Sequence, residues 1–126
     1  MKPTPNGKVI SWLDQQESTQ LFITTITIAE ISYGLHILSV GRRRNFLENA
    51  FNKAIIEAFK YRILTFDEQA ADWYGKIMGY RKKIGRSLPI LDGQIAAIAR
   101  THRATLVTRN VRDFTDCHID LVNPFT

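Results

Sequence analysis

Four short β-prone runs, held apart by stretches of helical periodicity, constrain this chain more than any other feature. They are QLFITTITI (residues 20–28), YRILTF (61–66), ATLVT (104–108) and IDLVNPF (119–125). β-Branched and aliphatic residues dominate them, which fits strands of a half-buried or fully buried sheet. Between them the apolar spacing changes from two to between three and four. Ile28, Ile31, Leu35 and Leu38 repeat at helical spacing directly after the first run. A helix is expected over residues 42–60, with Phe46, Ala50, Phe51, Ala54, Ile55 and Phe59 on its inner face and Arg43, Glu48, Asn52 and Glu57 outward. Asp67 is placed as an N-cap ahead of a helix burying Ala70, Trp73, Tyr74, Ile77 and Met78. A basic connection, RKKIGRSLP, leads to a helix over residues 89–102 with Leu91, Ile95 and Ile98 inside. At the N-terminus MKPTPNGK reads as a loop, and KVISWLDQQ as a short amphipathic helix burying Val9, Trp12 and Leu13. Strands separated by helices predict an α/β fold: a parallel sheet flanked by helices, as one domain over residues 1–126.

Composition narrows the function classes. Hydrophobic residues make up 44% of the chain, enough for a real core. No run approaches membrane-span length and no signal-peptide region opens the chain, so a soluble cytoplasmic protein is expected, with no membrane partner. Cys117 is the only cysteine, which excludes an internal disulfide and a thiolate metal cluster. The net charge of +5 and pI of about 9.6 lean toward a polyanionic partner. Neither GxxxxGK[ST] nor GxGxxG occurs, so no phosphate-cradling nucleotide loop is supported.

Sites in open parallel sheets lie beyond the carboxyl ends of the strands. Three acids fall there. Glu30 follows the first run, Asp113 lies five residues past Thr108, and Asp92 is in the first turn of the helix that leads into the same strand. Each also has a structural reading. Thr27-x-x-Glu30 has the form of a capping box. Asp92 is favoured by the helix dipole, by about 0.3–1 kcal/mol. Asn110 and Asp113 are ordinary turn residues. The combination favours chemistry, because three converging acids repel unless a cation lies among them. Incomplete sets of oxygen ligands suit Mg²⁺ or Mn²⁺, and no His/Cys spacing suits zinc.

The stretch RSLPILDGQIAAIARTHRATLVTRNVRDF, followed by IDLVNPF, resembles the C-terminal half of PIN-domain ribonucleases, most closely the VapC and FitB toxins of toxin–antitoxin pairs. An Asp opens an IAA-type helix, TRN ends a strand, an Asp-Phe pair follows, and Asn-Pro closes the chain. TTITIAEISYG matches the family's second motif, a Glu on a helix after a Thr/Ile-rich strand. The resemblance implies a metal-dependent endoribonuclease with a PIN-like parallel sheet. It also implies a homodimer inhibited by a VapB/FitA-like antitoxin. Glu30, Asp92 and Asp113 would be its catalytic acids and metal ligands, with Thr108 and Asn110 in support. Family members begin with a central strand ending in an Asp; here the chain starts at Met1 past that strand, an N-terminally truncated form, and Asp14 is not promoted to its place.

Basic residues are the expected RNA grip: Arg109 and Arg112 bracket the acids, and Lys82, Lys83 and Arg86 precede the Asp92 helix. A solvated basic face explains any one of them equally well. Arg42-Arg43-Arg44 opens a helix, where positive charge opposes the dipole. Two further readings compete with the enzyme. One is a catalytically impaired remnant that binds antitoxin or RNA without cleaving. The other is a nucleotide-binding or response-regulator-like module, which would need a phosphate loop and acids after an early strand.

Overall fold

The computed structural model describes residues 21–60 and 62–124. The expected opening loop and the helix carrying Val9, Trp12, Leu13 and Asp14 lie outside the described residues. The chain divides into two compact units, one of residues Glu17–Thr65 and one that includes residues 66–124.

In the first unit, β1 (Ile23–Thr24) leads straight into α1 (Thr25–His36), followed by α2 (Arg42–Glu57) and β2 (Ile63–Leu64). β1 and β2 pair in parallel, with Ile23 opposite Ile63 and Thr24 opposite Leu64. The strand expected over residues 20–28 is therefore far shorter, and the helix begins earlier. Thr24 causes this. Its backbone is extended, and its hydroxyl accepts the Thr27 N–H at 3.0 Å and contacts the Thr27 hydroxyl at 2.9 Å. A satisfied N-cap of this kind outweighs the strand preference of the β-branched residues after it.

α1 buries Leu35 and half-buries Ile28, while Ile31 is at the edge of exposure. α2 corrects a second expectation. Its half-buried row is Leu47, Phe51 and Ile55, and Phe46 is 72% exposed, as Ala50 and Ala54 also are exposed. Apolar residues surround most of this helix, so periodicity alone does not choose the row that packs on α1. Glu48, expected outward, is half-buried and pairs with Arg44 at 2.8 Å. The three arginines do open α2, behind Gly41, which supplies no side-chain cap.

The second unit holds α3 (Glu68–Lys83), α4 (Ile90–Thr101), β3 (Leu106–Val107), a 3₁₀ turn (Val111–Phe114) and β4 (Leu121–Val122). Asp67 caps α3 as expected, accepting the Ala70 N–H at 2.9 Å. α3 and α4 pack through small residues: Ala70, Ala96 and Ala97 are fully buried beside Ile77 and Ile98. Leu91, expected inside, is exposed, because the buried face of α4 runs through Gly93, Ala96, Ala97, Ile98 and Ala99. β3 and β4 pair in parallel, Leu106 opposite Leu121 and Val107 opposite Val122. Helices with parallel two-stranded ladders give the expected α/β class. Among the described residues no helix is long and apolar enough to cross a membrane.

Candidate active site

β3 delivers the polar run that follows it. The Thr108 N–H donates to Val122 O at 2.9 Å, so the backbone is still in the ladder when the side chains turn polar. The Thr108 hydroxyl then accepts the Asn110 N–H at 3.1 Å, and Asn110 O accepts the Asp113 N–H at 3.0 Å. These bonds convert strand to 3₁₀ turn within three residues. The turn reading of Thr108 and Asn110 is thus correct as local structure, and its product is a presented Asp113. Asp113 is exposed, while the next residue, Phe114, is buried and anchors the turn.

Asp92 stands in the first turn of α4, whose N-cap, Pro89, makes no side-chain cap bond. It is half-buried. Burial, and then the charge of Asp113, hold its carboxyl above the usual carboxylate range. Two acids chosen from sequence, 21 positions apart, are therefore within electrostatic reach in one unit. Gly93 permits this placement. A Cβ there would stand 2.4 Å from Met78 Sδ and 3.1 Å from Tyr74 Cε2, so α4 approaches α3 as closely as it does only with glycine.

Glu30 belongs to the first unit and is exposed on α1. Its capping-box explanation fails, because Thr24 and not Thr27 is the N-cap, which leaves Glu30 six positions along the helix. Among the described residues no group of three or more His, Cys, Asp or Glu is arranged to hold a metal ion. The donors that one unit assembles are Asp92 and Asp113. Two carboxylates that disfavour each other's ionisation, with oxygen donors only, fit a hard divalent cation such as Mg²⁺ or Mn²⁺.

The basic residues divide. Lys82, Lys83, Arg109 and Arg112 are exposed, and the two lysines sit in the last turn of α3, where the dipole favours them. Arg86 is engaged with the loop that follows Asp113. Its Nη1 donates to Thr115 Oγ1 at 2.9 Å and pairs with Asp116 at 3.0 Å, and its Nη2 donates to Arg112 O at 3.1 Å.

Two residues of the neighbourhood are not singled out by the sequence. Arg81, within what reads as a basic connection, is 3% exposed. Cys117 is buried beside it. Burial pushes the Cys117 thiol above its ordinary range, against the opposing pull of Arg81. A signal for Arg81 does exist: it falls on the inward stripe Ala70, Tyr74, Ile77, at spacings of four, three and four.

Comparison with known proteins adds three findings. A family model described as PIN domain matches residues 3–117. Toxin FitB of Neisseria gonorrhoeae is 34% identical over 125 residues, covering 99% of this chain and 90% of FitB. VapC ribonuclease Y4jK of Sinorhizobium fredii is 32% identical over 124 residues, covering 98% of this chain and 89% of the relative. The crystal structure of FitAcB from Neisseria gonorrhoeae matches with a TM-score of 0.92 at 35% identity, over 98% of this chain and 89% of that one.

Proposed function

This chain belongs to the PIN-domain family, as a toxin of the VapC/FitB type, and on that premise we propose that it is a metal-dependent endoribonuclease of a toxin–antitoxin pair, acting in the cytoplasm as a single domain over residues 1–126. The observation that carries the reading is Asp92: half-buried at a helix start, with the charge of Asp113 against it. Asp92 and Asp113 hold Mg²⁺ or Mn²⁺ with Glu30, and Thr108 and Asn110 fix the turn that presents Asp113. A bound divalent ion would supply the charge that polarises a phosphodiester and activates water for its hydrolysis. The chain's own part is to hold the two carboxylates in place before the substrate arrives, so that little reorganisation is needed. Arg109, Arg112, Lys82 and Lys83 bind RNA phosphates, and Arg86 holds the loop beneath Arg112.

The partner is an antitoxin of the VapB/FitA type, and the chain acts as a homodimer. Unit one supports an apolar partner, since Tyr33, Ile37, Val40, Phe46 and Ile56 are all well exposed. A Mn²⁺ titration tests the site: the wild type takes up Mn²⁺ at a specific site, and Asp92→Asn and Asp113→Asn each lose it. Equal uptake by all three proteins would remove both acids from the metal site.

A further inference from the structure

Asp113 is presented by a single 3₁₀ turn, which closes on one internal bond at 3.0 Å. Such turns are short and geometrically poor, and their last carbonyls need outside donors. Here the donors come from two arginines. Arg81, in the last turn of α3, donates from Nε to Arg86 O and from Nη1 to Asp113 O at 3.1 Å and to Thr115 O. The same Nη1 lies 3.7 Å from Cys117 Sγ. Arg86 takes the carbonyl of Arg112 and the side chains of Thr115 and Asp116.

The arrangement is unusual in its charge. Arg81 is almost fully buried, and the partners just named are carbonyl oxygens and a thiol, not a carboxylate. A buried cation without a counter-ion is costly unless its donors are met by dipoles. The loop supplies these dipoles at the expense of its own relaxation, since Asp116 and His118 both take left-handed backbone (φ 61° and 59°) on either side of Cys117. The guanidinium fork thus bridges the C-terminal end of α3 to the backbone carbonyl of Asp113 itself. α3 is also the helix on which Gly93 seats α4 and Asp92.

We infer that Arg81 is a positioning residue for the metal site: from α3, and with Arg86 as its outer brace, it fixes the backbone of Asp113 and hence the spacing of that carboxylate from Asp92. The inference rests on the reading of Asp92 and Asp113 as metal ligands. Lysine keeps the charge at position 81 but not the fork, so it cannot serve the carbonyls of Asp113, Thr115 and Arg86 together.

Four full-length proteins test it: wild type, Arg81→Lys, Arg86→Gln and Asp113→Asn. Each is measured for Mn²⁺ affinity, urea midpoint and the rate at which Cys117 reacts with a thiol reagent. Outer residues that orient ligands typically change metal affinity about 10–100-fold when replaced. Arg81→Lys is expected in that range, with faster Cys117 labelling as the loop opens. Arg86→Gln, an exposed change that leaves the core intact, is expected near the tenfold end and carries the test should Arg81→Lys fold poorly. Lower urea midpoints or faster labelling with wild-type Mn²⁺ affinity in both arginine variants, while Asp113→Asn weakens it, would make the arginines merely structural and overturn the inference. Unchanged affinity in Asp113→Asn would overturn the ligand assignment, and the positioning role with it.

Discussion

Gly93→Ala isolates the packing that seats Asp92. The new methyl would stand 2.4 Å from Met78 Sδ and 3.1 Å from Tyr74 Cε2, both closer than any relaxed carbon contact. Something must move by about 1 Å or more, since ordinary separations are about 3.5–4.0 Å. Overpacking of this kind costs about 1–3 kcal/mol. Alanine recovers up to about 1 kcal/mol of helix propensity over glycine. The net expectation is a destabilisation of about 1 kcal/mol, held down because a methionine side chain adapts readily. The sharper test is a double-mutant cycle with Met78→Ala, measured by urea unfolding with common m-values. Removing the Met78 sulfur makes room for the methyl, so the double variant is expected to be more stable than the sum of the singles by about 1–2 kcal/mol. Additivity within about 0.5 kcal/mol would refute the claim that Met78 and Gly93 compete for the same space.

Three other outcomes follow from the same geometry. Asp92 binds its proton more tightly in the folded chain than in the unfolded one, so its contribution to stability is complete below the unfolded value of 3.8 and is lost as pH rises through the raised folded value. Asp92→Asn should therefore stabilise the metal-free protein to urea at pH 7 and make little difference near pH 3; a loss of stability at pH 7 would contradict the burial and charge assigned to this carboxyl. Thr24→Ala removes the α1 cap and is expected to cost about 1 kcal/mol, read from the urea midpoint, with no change expected if the helix began instead at residue 28. Replacing Arg109 or Arg112 by alanine should weaken single-stranded RNA binding and lower the slope of log K against log salt by about 0.7 for each phosphate no longer neutralised; parallel salt plots would remove these residues from the RNA path.

Local devices are legible in this sequence, and long-range ones are hidden. Asp67 is readable as a cap because an N-cap is a matter of three residues. The polar run after β3 is readable because strand ends in parallel sheets are where sites collect. The first strand is overextended when read from sequence because ITTITI has strand propensity throughout, and one hydroxyl, that of Thr24, decides otherwise. The buried row of α2 is not legible because an almost uniformly apolar helix carries no preferred face until α1 is packed on it. Arg81 reads as solvated because it opens a run of basic residues, although its neighbours Lys82 and Lys83 are the exposed ones. Its carbonyl partners Asp113 and Thr115 lie more than thirty positions away, and backbone acceptors leave no mark in a sequence.

The metal-dependent nuclease reading stands or falls on one assay: labelled RNA incubated with this chain in Mg²⁺ or Mn²⁺ and again in EDTA, beside the Asp92→Asn variant. Cleavage by the wild type that disappears both in EDTA and in the variant is the predicted result. Cleavage that persists in EDTA or in Asp92→Asn would contradict the metal site built on that carboxylate, and no cleavage of any RNA by the wild type would leave a protein that binds its partners without cutting.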